Sequence, residues 1–149
     1  MRDGLSNKRI RPLIAPAAAV TDNTAFVSSI IDCQGYDKVT LVVVTGTNAD
    51  ADATVTALLE ESDASNMSGQ NSVADDDMVT MTPGTLPEAA ASFTFADDGE
   101  TRAIGYVGSK RYIRLTMTPA NNTGNQFLAG VAILEGKSAA NATLAASAN

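Results

Sequence analysis

Apolar residues in this chain recur mainly with a period of two, the signature of strands. Arg111–Thr118 is the clearest case: Ile113, Leu115 and Met117 fall on one side, and Tyr112, Arg114, Thr116 and Thr118 on the other. Thr54–Glu61 alternates in the same way, with Val55, Ala57 and Leu59 inward. Lys38–Thr47 (KVTLVVVTGT) differs, because Leu41-Val42-Val43-Val44 is unbroken and bounded by Gly35 and Gly46. Such a run predicts a central strand covered on both faces. Phe127–Glu135 (FLAGVAILE) likewise reads as buried. Ala25–Asp32, Ser92–Phe95 and Arg102–Val107 are shorter strand-like runs, with Phe93 and Phe95 sharing one side and Ile104 and Tyr106 another.

Turn chemistry separates these runs, at Asn48–Asp52, Asp63–Asp77, Pro83-Gly84, Gly108-Ser109 and Pro119–Asn125. Asp98-Gly99 between two alternating stretches predicts a hairpin. A sustained 3.6-residue period is missing, and Pro87–Ala91 is the one place where a short helix fits. About seven or eight short strands at roughly ten-residue spacing predict an all-β fold, a single antiparallel β-sandwich of jelly-roll type. It would occupy residues 21–136. Residues 1–20 read as an extended N-terminal arm, since Pro12 and Pro16 disfavour helix and central strand alike. Residues 137–149 (KSAANATLAASAN) read as a loose tail.

The chain has 149 residues, enough to bury a core without disulfides. With no His and one Cys, His-based triads, Cys clusters and intrachain disulfides are excluded. A net charge of −7 argues against nucleic acid as a partner, and no apolar run reaches the roughly 20 residues of a membrane span. Charge is strongly segregated. Val39 to Thr101 contains no Lys or Arg but holds Asp50, Asp52, Glu60, Glu61, Asp63, Asp75, Asp76, Asp77, Glu88, Asp97, Asp98 and Glu100. Arg102, Lys110, Arg111 and Arg114 then follow with no acid before Glu135. One reading is drift in composition. The other is an acidic face that meets a basic arm or patch on a neighbouring copy.

Catalytic candidates are thin. The paired acids lie in Ser-, Asn- and Gly-rich turns where solvated carboxylates are expected, and they lack the aromatic platforms of a sugar-cleaving site. Asp50 and Asp52 have the spacing that opens a calcium loop, but the Gly and Glu that complete it are missing. Cys33 has no basic neighbour before Lys38 and reads as a small core residue rather than a reactive thiol. No cofactor or metal site is expected. The basic segment Lys8, Arg9, Ile10, Arg11, Pro12, Leu13, Ile14 carries more weight. It must add to a sheet edge to bury its apolar residues, as the first strand of its own domain or on a neighbour.

The opening MRDGLSN, the stretch Gly35–Asp52, Ala91–Tyr106, and Tyr112–Leu134 with its PANNTGN loop cover about two-thirds of the chain. In these segments it resembles small virion proteins encoded beside the major capsid protein in tailed bacteriophages and prophages. The resemblance implies a non-enzymatic capsid decoration or cement protein, located on the virion surface after synthesis in the host cytoplasm. The implied partners are the major capsid protein and further copies of itself, as trimers or dimers. On that expectation Lys8, Arg9, Ile10, Arg11, Leu13 and Ile14 contact the shell or an adjacent subunit. Arg102, Lys110, Arg111 and Arg114 then form a basic patch for acidic partners. Two alternatives stand beside it. A glycan- or host-surface-binding sandwich displayed on the virion would expose an aromatic cluster such as Tyr106 and Tyr112. A head–tail joining or tail component would be present in few copies.

Overall fold

The computed structural model describes residues 4–136, so the expected tail at 137–149 lies outside the described residues. Among the described residues, eleven strands run in chain order: β1 Lys8–Ile14, β2 Phe26–Val27, β3 Ile31–Asp32, β4 Lys38–Asn48, β5 Thr54–Ser62, β6 Asn71–Ser72, β7 Met78–Thr80, β8 Phe93–Thr94, β9 Thr101–Tyr106, β10 Tyr112–Ala120 and β11 Gln126–Glu135. A 3-10 turn at Asp75–Asp77 and a short helix α1 at Pro87–Ala91 interrupt them. All pairings are antiparallel. One sheet has the order β1-β11-β4-β9-β7; the other has β2-β10-β5-β6, with β3 on β10 and β8 on β5.

The two sheets close over a single apolar core, so the chain is a β-sandwich. Val39, Leu41, Val43, Ile104, Leu128, Ala132 and Leu134 enter from the first sheet. Ile31, Val55, Ala57, Leu59, Ile113, Leu115 and Met117 enter from the second. The inward residues of β5 and β10 are the ones that the alternation picks out. Their register pairs Leu115 with Leu59 and Met117 with Ala57, so both strands present one face together. Pro87 starts α1 with its fixed φ, and Glu88 Oε1 reaches across to accept the backbone N–H of Leu59 at 2.6 Å.

Several expectations change in three dimensions. Residues 8–14, read as part of an arm, form the edge strand β1 on β11 of the same chain, and Leu13 and Ile14 are buried in its own core. Ala25–Asp32 splits into β2 and β3, because Ser28 turns inward and its hydroxyl accepts the N–H of Leu115. Phe93 is buried whereas Phe95 is exposed, so the two do not share a side. Asp98-Gly99 makes a turn with positive φ at Gly99, but no hairpin: β8 belongs to one sheet and β9 to the other, so the turn crosses between layers. The largest difference concerns β4 and β11. Their apolar runs predict cover on both faces, yet Val44, Phe127 and Val131 are exposed on the outer side.

The core is close-packed around Leu59, which is wholly inaccessible. Leu59→Ala is expected to lower stability by roughly 2–5 kcal/mol in urea unfolding, the cost of lost transfer energy plus a cavity. A loss below about 1 kcal/mol would contradict the position of β5 in this core.

Candidate functional site

The four basic residues expected to form a patch are not brought together. Arg102 opens β9, while Lys110 and Arg111 follow the far end of that strand, and Arg114 lies on the outer side of β10. Each is also neutralised within the chain. Arg114 Nη2 meets Glu60 Oε2 at 2.8 Å, its direct cross-strand neighbour. Arg111 grips Asp32 with two N–H bonds at 2.9 and 3.0 Å, and Lys110 Nζ lies 2.6 Å from Asp63. Arg102 pairs with Asp97 at 3.0 Å and with Glu100. These cations are thus engaged within the chain, where they join strand ends to Asp32, Glu60, Asp63, Asp97 and Glu100. In β1, Lys8 pairs with Glu135 at 2.6 Å, whereas Arg11 and Ile10 are exposed.

The acids serve the same structural purpose. Asp50 accepts the N–H and hydroxyl of Thr123, both at 2.7 Å, and the N–H of Asp52. Its carboxyl is held below the ordinary range chiefly by the Thr123 hydroxyl. The calcium-like spacing of Asp50 and Asp52 thus closes a loop onto its neighbour. Among the described residues no three His, Cys, Asp or Glu side chains gather as a metal site. Asp97 accepts the N–H and hydroxyl of Thr94, and Asp98 accepts the N–H of Asn48 at 2.8 Å.

Tyr106 and Tyr112 do not form the exposed aromatic cluster that a glycan-binding reading predicts. Tyr106 is buried; its hydroxyl donates to Glu61 Oε2 at 2.7 Å and accepts the N–H of Lys110 at 2.9 Å. Burial, with the Glu61 bond, pushes its pKa well up. Tyr112 is half-buried, with the Arg111 guanidinium 4.9 Å from its ring centre. An open cleft of about 450 Å3 runs beside Tyr106, lined by Cys33, Tyr36, Lys38 and Arg111 among others. Burial pushes the Cys33 thiol up to about 12, so it stays protonated at neutral pH and is a poor nucleophile.

The most distinctive surface is the outer side of the five-stranded sheet, which motif reading does not reveal. Cross-strand register assembles it in rows. Ile10, Ile133, Thr40, Gly105 and Val79 form one row across all five strands. Pro12, Val131, Val42 and Ala103 form the next, and Ala129, Val44 and Thr101 a third. None of these residues is charged. Ile10, Val79, Val44, Phe127 and Val131 are 39–53% exposed. Charge enters only at one end, where Lys8, Glu135 and Lys38 stand side by side. At the other end Phe127 lies over Gly46, where a Cβ would come within 2.7 Å of the Phe127 Cβ. A shallow apolar hollow of about 180 Å3 opens beside them, with Pro16 and Ala17 on its rim. The signal for this face was present in the unbroken runs of β4 and β11.

The sequence matches no protein-family model and no curated protein. Solved structures resemble it distantly. One holds the CBM22-1 and GH10 modules of a Clostridium thermocellum xylanase with xylohexaose, at 12% identity over 89% of this chain and 27% of that one, TM-score 0.45. Another is the Emp46p carbohydrate recognition domain, at 11% identity over 89% and 90% of the two chains, TM-score 0.41. A third is infectious bursal disease virus, at 8% identity over 86% and 32%, TM-score 0.35. The chain thus spans about a third or less of the xylanase and virus chains, and all three TM-scores are below 0.5.

Two outcomes follow from the titrating groups. Asp97 is held below its ordinary value of 3.8, first by the Thr94 N–H, with the Thr94 hydroxyl and Arg102 adding to it. A carboxyl depressed in the folded state stabilises above its unfolded value and loses that contribution as pH falls through the folded one. Stability is therefore expected to decline below about pH 4, and Asp97→Asn to flatten that decline in acid melts. Native Cys33 at pH 8 is expected to react with iodoacetamide at least about 100-fold more slowly than in urea. Equal rates would refute its burial.

Proposed function

We propose that this chain is a non-enzymatic structural protein that binds the outside of a tailed-phage capsid lattice and stabilises it. The observation that carries this reading is the outer face of the five-stranded sheet, whose three central rows hold no charged residue. Large contiguous apolar patches on soluble domains mark surfaces made for partners. Here the patch spans a regular sheet rather than a cleft, which suits an extended protein surface better than a small substrate. The edge strand β1, with Ile10 and Arg11 exposed, adds a second docking element of the kind that pairs with another chain. The resemblance to virion proteins encoded beside the major capsid protein supports the choice of lattice. Many weak contacts on one shell then add through avidity.

Copy number tests this reading. Mass spectrometry of purified virions against the major capsid protein is expected to give a ratio near one to one. A few copies per hundred capsid subunits would place the protein at the head–tail junction or tail instead. Shells lacking the protein are expected to bind it on addition and to withstand heating or chelation better. Shells that never bind it, and are equally stable without it, would end the proposal.

A further inference from the structure

The bare face of the five-stranded sheet has a pattern that fits a second copy of itself. We propose that two copies stack this face about a two-fold axis running parallel to the strands, between β4 and β11. The proposal rests on the reading above that the chain is built to meet protein partners, and it names the partner at this face. Such an axis lays β11 of one copy over β4 of the other, and β1 over β9. At the outer strands, large residues then meet small ones: Ile10 and Pro12 come opposite Gly105 and Ala103, while Val131 comes opposite Val42 and Ala129 opposite Val44. Phe127 comes opposite the apolar hollow of about 180 Å3 that Val44, Pro16 and Ala17 of the other copy line. In the charged end row, Glu135 of each copy faces Lys38 of the other, two opposite-charge pairs created by one symmetry operation.

The axis overlays four strands, β1, β11, β4 and β9, of seven, ten, eleven and six residues. At about 4.8 Å spacing and about 3.3 Å rise they cover roughly 500 Å2 per copy, so the pair buries on the order of 1,000 Å2, the size of a small, reversible interface. β4 and β11 carry runs that suit strands covered on both faces, and within one chain the described residues cover one. A second sheet packed face to face at about 10 Å supplies the missing layer.

The test is sedimentation equilibrium of the full chain. The expected result is a dimer at micromolar concentration. Val44→Asp and Val131→Asp, both at exposed positions, are expected to weaken it by roughly 100-fold or more through buried charge, with unchanged circular dichroism and melting. Lys38→Glu and Glu135→Lys are each expected to weaken it a few-fold, and an equimolar mixture of the two to restore pairing, because only the mixed dimer keeps opposite charges across the axis. A chain that remains monomeric above about 100 µM overturns the proposal, as does an oligomer indifferent to Val44→Asp. If the monomer nonetheless binds shells through a contact that Val44→Asp abolishes, the capsid is the occupant; the dimer falls and the capsid reading stands. If the dimer forms as described but shells never bind it, the dimer stands and the capsid reading falls. A monomer that dimerises when residues 137–149 are removed shows that the chain's own tail occupies the face, which also overturns the proposal.

Discussion

The structure depends on burying the alternating apolar residues of β5 and β10 against the inward residues of β4, β9 and β11. Neither sheet has another way to remove those side chains from water, and the two-residue strands at their margins could not stand alone. Each fully buried Leu, Ile or Met contributes on the order of 1.5–3 kcal/mol of transfer energy, so the central strands outweigh everything at the rims. Sheet pairing and core packing reinforce one another here. The register that sets Leu115 opposite Leu59 also sets Arg114 opposite Glu60 on the outer side. A slip by one residue would exchange the two faces and place that ion pair in the core.

The rims are fastened by polar groups rather than by apolar burial. Strand ends and loops leave backbone N–H groups that must find acceptors. Carboxylates supply many of them: Glu88 for Leu59, Asp97 for Thr94, Asp98 for Asn48 and Asp50 for Thr123. Three further acids of that stretch, Glu60, Asp63 and Glu100, engage Arg114, Lys110 and Arg102, which come next in the chain. Segregated charge along the sequence thus becomes mixed charge in space. The basic residues of 102–114 thereby fasten strand ends within the chain.

What is left over after folding is apolar, not charged. The outer rows of β1, β11, β4 and β9 would be costly to leave in water for an isolated domain, and their flatness favours another sheet over a small ligand. In the proposed dimer, pairing of like faces covers the rows, while the β1 edge remains at the margin of the pair for the proposed lattice contact. On this view the region around Lys8–Ile14 keeps a place in binding, through the edge of β1 and Arg11, although Leu13 and Ile14 belong to the core of their own chain.

Sequence alone determined the class of fold, the inward faces of β5, β9 and β10, the turns between strands and the helix at Pro87–Ala91. These follow from local rules: a period of two, glycine at positive φ, and proline at the first helical position. It also contained the two-sided character of β4 and β11, though not what lies on the second side. Only the tertiary structure decided which acid meets which base, that Asp98-Gly99 crosses between sheets, that Tyr106 points inward to Glu61, and that the described residues leave one face of the sheet uncovered. Those outcomes depend on strand order and register between segments far apart in the chain. Side-chain periodicity fixes which face a residue shares, but the neighbours on that face are set by the whole fold.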